Sequence, residues 1–253
     1  MGTHPTSPSR VGSSNELLSG YLASHPNLIG RDVIDKFDAA GGNLPFLFKV
    51  LSIEKALSIQ THPDKKMAEE LHAQRPDIYK GASFALLELG TRANLNFDAD
   101  PNHKPELAIA ITPFRALCGF RPLREIAGHL NSTPELRALI PPAVTNNFIS
   151  LSHSSNPAGP EEKSALKDLF ASLMTANEAT YKNQLSNLIT RYQSGSTNEG
   201  EDKDLVELIL RLDSQFPGDI GIFCPFILNY VHMNPGDAIF LSAGEPHAYI
   251  SGG

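Results

Sequence analysis

Residues 123–216 carry apolar side chains at helical spacing, while the stretches on either side read as strands, and this order limits how the chain can close. Leu166, Leu169, Phe170 and Leu173 form one helical face; Leu185, Leu188, Ile189 and Tyr192, and then Leu205, Leu208, Ile209 and Leu212, form two more. Ile126 with Leu130, and Leu136 with Leu139 and Ile140, begin the same pattern earlier. Polar, glycine- and serine-rich stretches at 153–159 and 194–200 separate the pieces. Strand blocks at both ends must meet in space if they share a sheet. The expected fold is therefore mixed β and α, an antiparallel β-sandwich interrupted by an α-helical subdomain. Residues 1–122 would form the first part of the sandwich domain, 123–216 the helical subdomain and 217–253 the returning strands.

Within the first block, a helix is expected from Ser14, with Asn15 as its N-cap, to the residues before Pro26. A second covers 31–37, with Val33, Ile34 and Phe37 on one side. After the break at Gly41-Gly42-Asn43, the run 46–51 reads as an apolar strand. Pro63 opens a helix to about Gln74, 85–89 reads as a short helix, 107–111 as a buried strand, and 114–120 as its continuation or a nearby element. In the last block 220–223, 227–231 and 238–241 read as strands, separated by turn signals at Asn234-Pro235-Gly236-Asp237 and Ala243-Gly244.

The chemistry-bearing groups lie next to these strands. Gln60 and His62 stand two residues apart, so an extended backbone projects them from one face. Glu106 precedes the strand at 107, and His247 follows the turn at Gly244. Taken singly, each has an ordinary reading as a surface or hydrogen-bonded residue. Taken together, two oxygen donors and two imidazoles suit one Zn2+ per chain. Only Glu106 would bring charge, so a divalent ion there keeps a net positive charge, which favours polarising a substrate oxygen over a purely structural role. No cysteine takes part in this set.

Charge and cysteine usage narrow the partners. With 21 Lys and Arg against 28 Asp and Glu, the net charge of −7 argues against general affinity for nucleic acid or an anionic membrane. The two cysteines, Cys118 and Cys224, sit among apolar neighbours and are expected to be buried, reduced thiols, as in a cytoplasmic protein. The N-terminal residues contain no apolar leader core, and no apolar run is long enough to span a bilayer, so neither secretion nor a membrane anchor is expected.

Several long motifs, in order, resemble the type I mannose-6-phosphate isomerase (phosphomannose isomerase) family. They are 44–63 (LPFLFKVLSIEKALSIQTHP), 102–106 (NHKPE), 107–122 (LAIAITPFRALCGFRP), 217–221 (PGDIG) and 235–249 (PGDAIFLSAGEPHAY). The resemblance implies a zinc-dependent enzyme with a cupin-like jelly roll that interconverts mannose 6-phosphate and fructose 6-phosphate, feeding GDP-mannose synthesis and protein glycosylation. Carried over by motif, the zinc ligands are Gln60, His62, Glu106 and His247. Ser58 and Lys104 flank ligands in the matching motifs and become candidate substrate contacts, Lys104 also the candidate catalytic side chain, and Lys49 is a further candidate. The implied partner is a hexose 6-phosphate, and a monomer is expected.

Three departures accompany the match. The family's N-terminal section, with its Tyr-x-Trp-Gly motif, is expected to be missing. So are the segment bearing an active-site Arg and the second β-rich domain beyond it. Residues 81–98 read as an insertion without a counterpart. A non-catalytic metal- or sugar-phosphate-binding cupin fragment is therefore the alternative reading.

Overall fold

The computed structural model describes residues 2–4, 7–64, 66, 84–85, 105–198 and 201–253, with 84–85 described by backbone alone. They divide into two compact units, Met1–Leu51 and Ser52–Gly253.

The first unit contains helices α1 (Leu18–Ser24) and α2 (Arg31–Phe37), each followed by a 3-10 turn. The second helix has the expected bounds, but α1 starts later than Ser14 because Asn15 takes a left-handed backbone, φ 57°, and so cannot serve as its cap. The expected strand at 46–51 is absent: those residues have no regular structure, and Phe46, Leu47, Phe48 and Val50 are exposed. Apolar composition makes a strand only where another strand accepts its backbone hydrogen bonds, and no ladder among the described residues pairs with 46–51.

The second unit is built on an antiparallel five-stranded sheet of β1 (Gln60–Thr61), β2 (Phe84–Ala85), β4 (Phe114–Phe120), β5 (Leu228–Met233) and β7 (His247–Ser251), in the order β2-β1-β7-β4-β5. Strands β3 (Glu106–Ile109) and β6 (Ala238–Leu241) form a separate antiparallel pair. The strands before and after the helical block thus interleave, as the sequence order demands.

Alternation along β4 assigns its two faces. Phe114, Ala116 and Cys118 join a small core with Ala108, Ala110, Ile239, Leu241 and Tyr249, between the five-stranded sheet and the β3–β6 pair. Leu117 points the other way, into the larger core shared with the helices. The expected buried strand at 107–111 is only half buried: Leu107 and Ile109 on β3 and Phe240 on β6 lie on the outer face of the pair and are exposed. Among the described residues, no element packs on that outer face.

The helical block follows the periodicity. Helices α3 (Leu123–Ser132), α4 (Pro134–Arg137), α5 (Pro142–Leu151), α6 (Pro160–Met174), α7 (Glu178–Gln193) and α8 (Lys203–Gln215) bury most of the apolar positions picked out by spacing, with Leu166 and Phe170 half-buried and Leu139 and Ile140 buried just after α4. Pro160 with Glu161 and Glu162 starts α6, suiting the positive end of the helix dipole. Asn177 caps α7 by accepting the Thr180 N–H at 3.2 Å. Asn177→Ala is expected to cost about 1 kcal/mol, or a fall of roughly 2–4 °C in Tm, read by thermal unfolding.

Two sequence readings fail here. Residues 220–223 are not a strand but part of a buried 3-10 helix, Ile220–Phe226, because the Asp219 carboxylate accepts the Gly221 N–H at 2.6 Å and caps the turn. Ala85 lies in a strand rather than a helix, and the rest of the expected helix at 85–89 falls outside the described residues. The helix expected from Pro63 to about Gln74 also lies mostly outside them, with Lys66 helical.

Helix α8 reaches the strand that carries the first site residues. Gln215 accepts the Ala56 N–H at 2.9 Å, and Arg211 donates to the Glu54 carbonyl at 2.7 Å. The chain entering β1 is thereby pinned from the helical side.

Candidate metal centre

Gln60 lies directly opposite His247 across the β1–β7 ladder, and Cys118 opposite His247 across β7–β4. Side chains directly opposite in an antiparallel ladder stand on the same face, and those two residues apart on one strand do so too. His62, just beyond Gln60, and Tyr249, just beyond His247, therefore start from the same side of the sheet. Glu106 heads β3 in phase with Ala108, which packs into the core between the sheets. The two sheets thus bring their polar ends together at one edge of the sandwich interior.

Two glycine contacts hold the histidines in place. Gly244, at φ +82°, donates its N–H to the His62 carbonyl at 2.7 Å, in a backbone conformation that only glycine adopts readily. Gly119, at φ +65°, donates to the Pro246 carbonyl at 2.9 Å and ties β4 to the residue before His247. His247 Nδ1 lies 2.9 Å from the Glu245 carbonyl oxygen, which can only accept, so Nδ1 carries the proton and Nε2 presents a lone pair.

At the centre, His62 Nε2 is 3.0 Å from Glu106 Oε1, and His247 Nε2 is 3.7 Å from Glu106 Oε2. The Tyr249 hydroxyl donates to Glu106 Oε2 at 2.7 Å. One donor atom from each of His62, Glu106 and His247 lies within 4.8 Å of the others, and both imidazoles are 4% exposed. The Glu106 carboxyl is pulled down to about 2, chiefly by the His62 hydrogen bond; burial opposes this, and the Tyr249 hydroxyl and both imidazoles reinforce it. Burial pushes the Tyr249 phenol up, as does its bond to Glu106. The Cys118 thiol is pushed up to about 12 by burial and by the nearby Glu245 and Glu106 carboxylates. Two buried imidazoles, one of fixed tautomer, and an ionised carboxylate are a donor set suited to a borderline divalent cation such as zinc.

Of the residues singled out from sequence, His62, Glu106 and His247 converge, and Gln60 lies beside His247 in the ladder. Ser58 is exposed two residues before Gln60. Lys49 is exposed in the Met1–Leu51 unit, and Lys104 lies outside the described residues. Both cysteines are buried free thiols. Tyr249 was not singled out, although its place two residues after His247 was the available signal.

Comparison with known proteins decides the family. The model for the catalytic domain of phosphomannose isomerase type I matches residues 1–90 and 87–123, and that for the family's helical insertion domain matches 139–228. The chain belongs to this family. The two catalytic-domain stretches meet inside 81–98, so the segment expected to lack a counterpart lies within the matched residues. Among similar proteins, mannose-6-phosphate isomerase of Cryptococcus neoformans is 45% identical over 267 residues, covering 100% of this chain and 57% of that protein. That of Saccharomyces cerevisiae is 44% identical over 258 residues, covering 100% of this chain and 55% of the relative. A solved mannose 6-phosphate isomerase from Salmonella typhimurium, bound to substrate (f6p) and zinc, superposes with a TM-score of 0.71 at 31% identity, covering 100% of this chain and 56% of that one. The fold is thus that of the phosphomannose isomerases, the mixed β and α cupin-like architecture expected from sequence. The chain spans just over half the length of these relatives.

Proposed function

We propose that the chain carries the zinc site of an isomerase that interconverts mannose 6-phosphate and fructose 6-phosphate, supplying GDP-mannose synthesis. The convergence of His62, Glu106 and His247 within 4.8 Å carries this reading, because these are the ligand positions that the family motifs assign. Gln60 is the fourth ligand in the proposal, and its position opposite His247 supports it. The domain division 1–122, 123–216 and 217–253 belongs to the same proposal, as does a monomer acting in the cytoplasm. Among the described residues, no helix is long and apolar enough to cross a membrane.

When bound, zinc supplies a redox-inert positive charge that polarises a substrate oxygen. The chain's own residues prepare the place. The Glu245 carbonyl holds His247 in the tautomer that can ligate, and His62, Glu106 and His247 would hold the cation once His62 Nε2 gave up the proton it shares with Glu106. Burial of both imidazoles keeps bulk water from competing for them. Ser58 and Lys104 are assigned to the substrate, Lys104 also as the candidate catalytic side chain, with Lys49 as a further candidate contact.

Fructose 6-phosphate formation from mannose 6-phosphate by the purified protein, with and without a chelator, tests the proposal. Turnover that a chelator abolishes and zinc restores is the expected result. One zinc per chain with no chelator-sensitive turnover would contradict the isomerase reading while leaving the metal site intact.

A further inference from the structure

Glu106 reaches the centre from a different sheet than the two histidines, so something must fix the rotation of its carboxylate. His62 meets Oε1, but Oε2 sits 3.7 Å from His247 Nε2 and makes its short contact, 2.7 Å, with the Tyr249 hydroxyl. That phenol is itself immobilised. Its ring is buried in the small core between the sheets and lies edge-on to Phe114, with centroids 5.4 Å apart, while the Tyr249 carbonyl accepts the Leu57 N–H at 2.9 Å. A phenol has one proton to donate, and here it goes to the carboxylate.

Building on the zinc reading above, we propose that Tyr249 is the positioning residue for the metal centre: its hydroxyl, bonded to Oε2, fixes the rotation of the Glu106 carboxylate that leaves Oε1 toward His62 and Oε2 toward His247. The device parallels the one on His247, whose ring is set by the Glu245 carbonyl. The difference is that Tyr249 acts through a side chain, so its contribution can be removed without touching the backbone. Hydrogen bonds from outside the ligand set fix ligand orientation, and their loss costs roughly 10–100-fold in metal affinity. With its proton committed to Glu106 and its ring inside the core, Tyr249 is not placed to bind a sugar hydroxyl in its stead.

The test is a zinc competition titration of the whole chain against a chromophoric chelator, using wild type, Tyr249→Phe, Glu106→Gln and the double variant. Tyr249→Phe keeps the ring and its Phe114 contact, and is expected to weaken zinc binding by about 10–100-fold. In the Glu106→Gln background the same change is expected to cost clearly less, since an amide oxygen accepts the phenol proton more weakly than a carboxylate does. Unchanged affinity in the single variant, or an equal loss in both backgrounds, would overturn the assignment. Wild type that binds no zinc would instead overturn the proposed function, so the two failures are distinct. Should Tyr249→Phe fail to fold, NMR of wild type with Cζ-labelled tyrosine decides: the Tyr249 resonance is expected to shift when zinc is titrated in, and a resonance that stays put would refute the role.

Discussion

At the proposed zinc site, His247→Ala is expected to weaken zinc binding by about two orders of magnitude or more and to remove the proposed isomerase turnover with it. Four-ligand zinc sites bind with apparent free energies of roughly 10–16 kcal/mol, so one ligand of four accounts for about 3 kcal/mol or more. His247 is buried and its tautomer is preset, so none of its affinity is spent choosing a geometry. Elemental analysis after dialysis, beside the isomerase assay, checks the expectation, and His62→Ala should behave alike. Glu245→Ala is the useful contrast. It keeps the carbonyl that holds His247 and removes only a carboxylate that accepts the Ser242 N–H at 3.0 Å, so zinc binding is expected to fall less than about tenfold.

The largest expected effect on stability lies away from the metal centre, at Arg191. Its guanidinium donates to both oxygens of Glu135, from Nε at 2.8 Å and Nη2 at 2.9 Å, and to Glu201 from Nη1 at 2.6 Å and Nη2 at 2.8 Å. The Tyr192 hydroxyl, the Asn198 N–H and the Thr133 hydroxyl also donate to Glu201, whose side chain is 2% exposed. Arg191→Ala would leave two buried carboxylates facing one another, and breaking such a set from one side costs about 3–5 kcal/mol. Arg191→Lys should recover only part, since an ammonium cannot bridge two carboxylates in a planar fork. For Glu201, burial pushes the carboxyl pKa up, but the bonds from Arg191, Asn198 and Tyr192 outweigh it and the net direction is down. The unfolded chain therefore binds this proton more readily. The stabilisation is complete above the unfolded carboxylate value of about 4.3 and is lost as pH falls through the lower folded value. Denaturant unfolding at neutral and at acid pH should show the gap between wild type and Arg191→Ala narrowing in acid.

Much of the helical block was legible because its apolar residues keep one period over several turns, as at Leu205, Leu208, Ile209 and Leu212. The misread stretches are those where period carries no information. Residues 220–226 are apolar throughout and, apart from half-buried Gly221, buried, so only the Asp219 cap distinguishes the 3-10 helix from a strand. Phe46 to Leu51 has strand composition, but a strand needs a ladder partner that composition does not supply. In the site, the residue types at Gln60, His62, Glu106 and His247 were legible, and the two-residue spacing gave the face shared by the first pair. Their meeting rests on the Gln60–His247 register and on the packing of β3 against the other sheet, which are long-range pairings with no local signature. Tyr249 went unremarked because a tyrosine near a strand reads as core, which its ring is; only the structure shows where its hydroxyl points.

X-ray absorption at the zinc edge of the purified, zinc-loaded protein tests the central claim most directly. The account predicts one zinc per chain with nitrogen and oxygen neighbours only, at about 2.0–2.2 Å, and with an imidazole scattering pattern that diminishes in His247→Ala. A sulfur neighbour at about 2.3 Å would place Cys118 rather than the oxygen donors on the metal, and a zinc spectrum unchanged by His247→Ala would place the ion elsewhere altogether; either result would contradict the account.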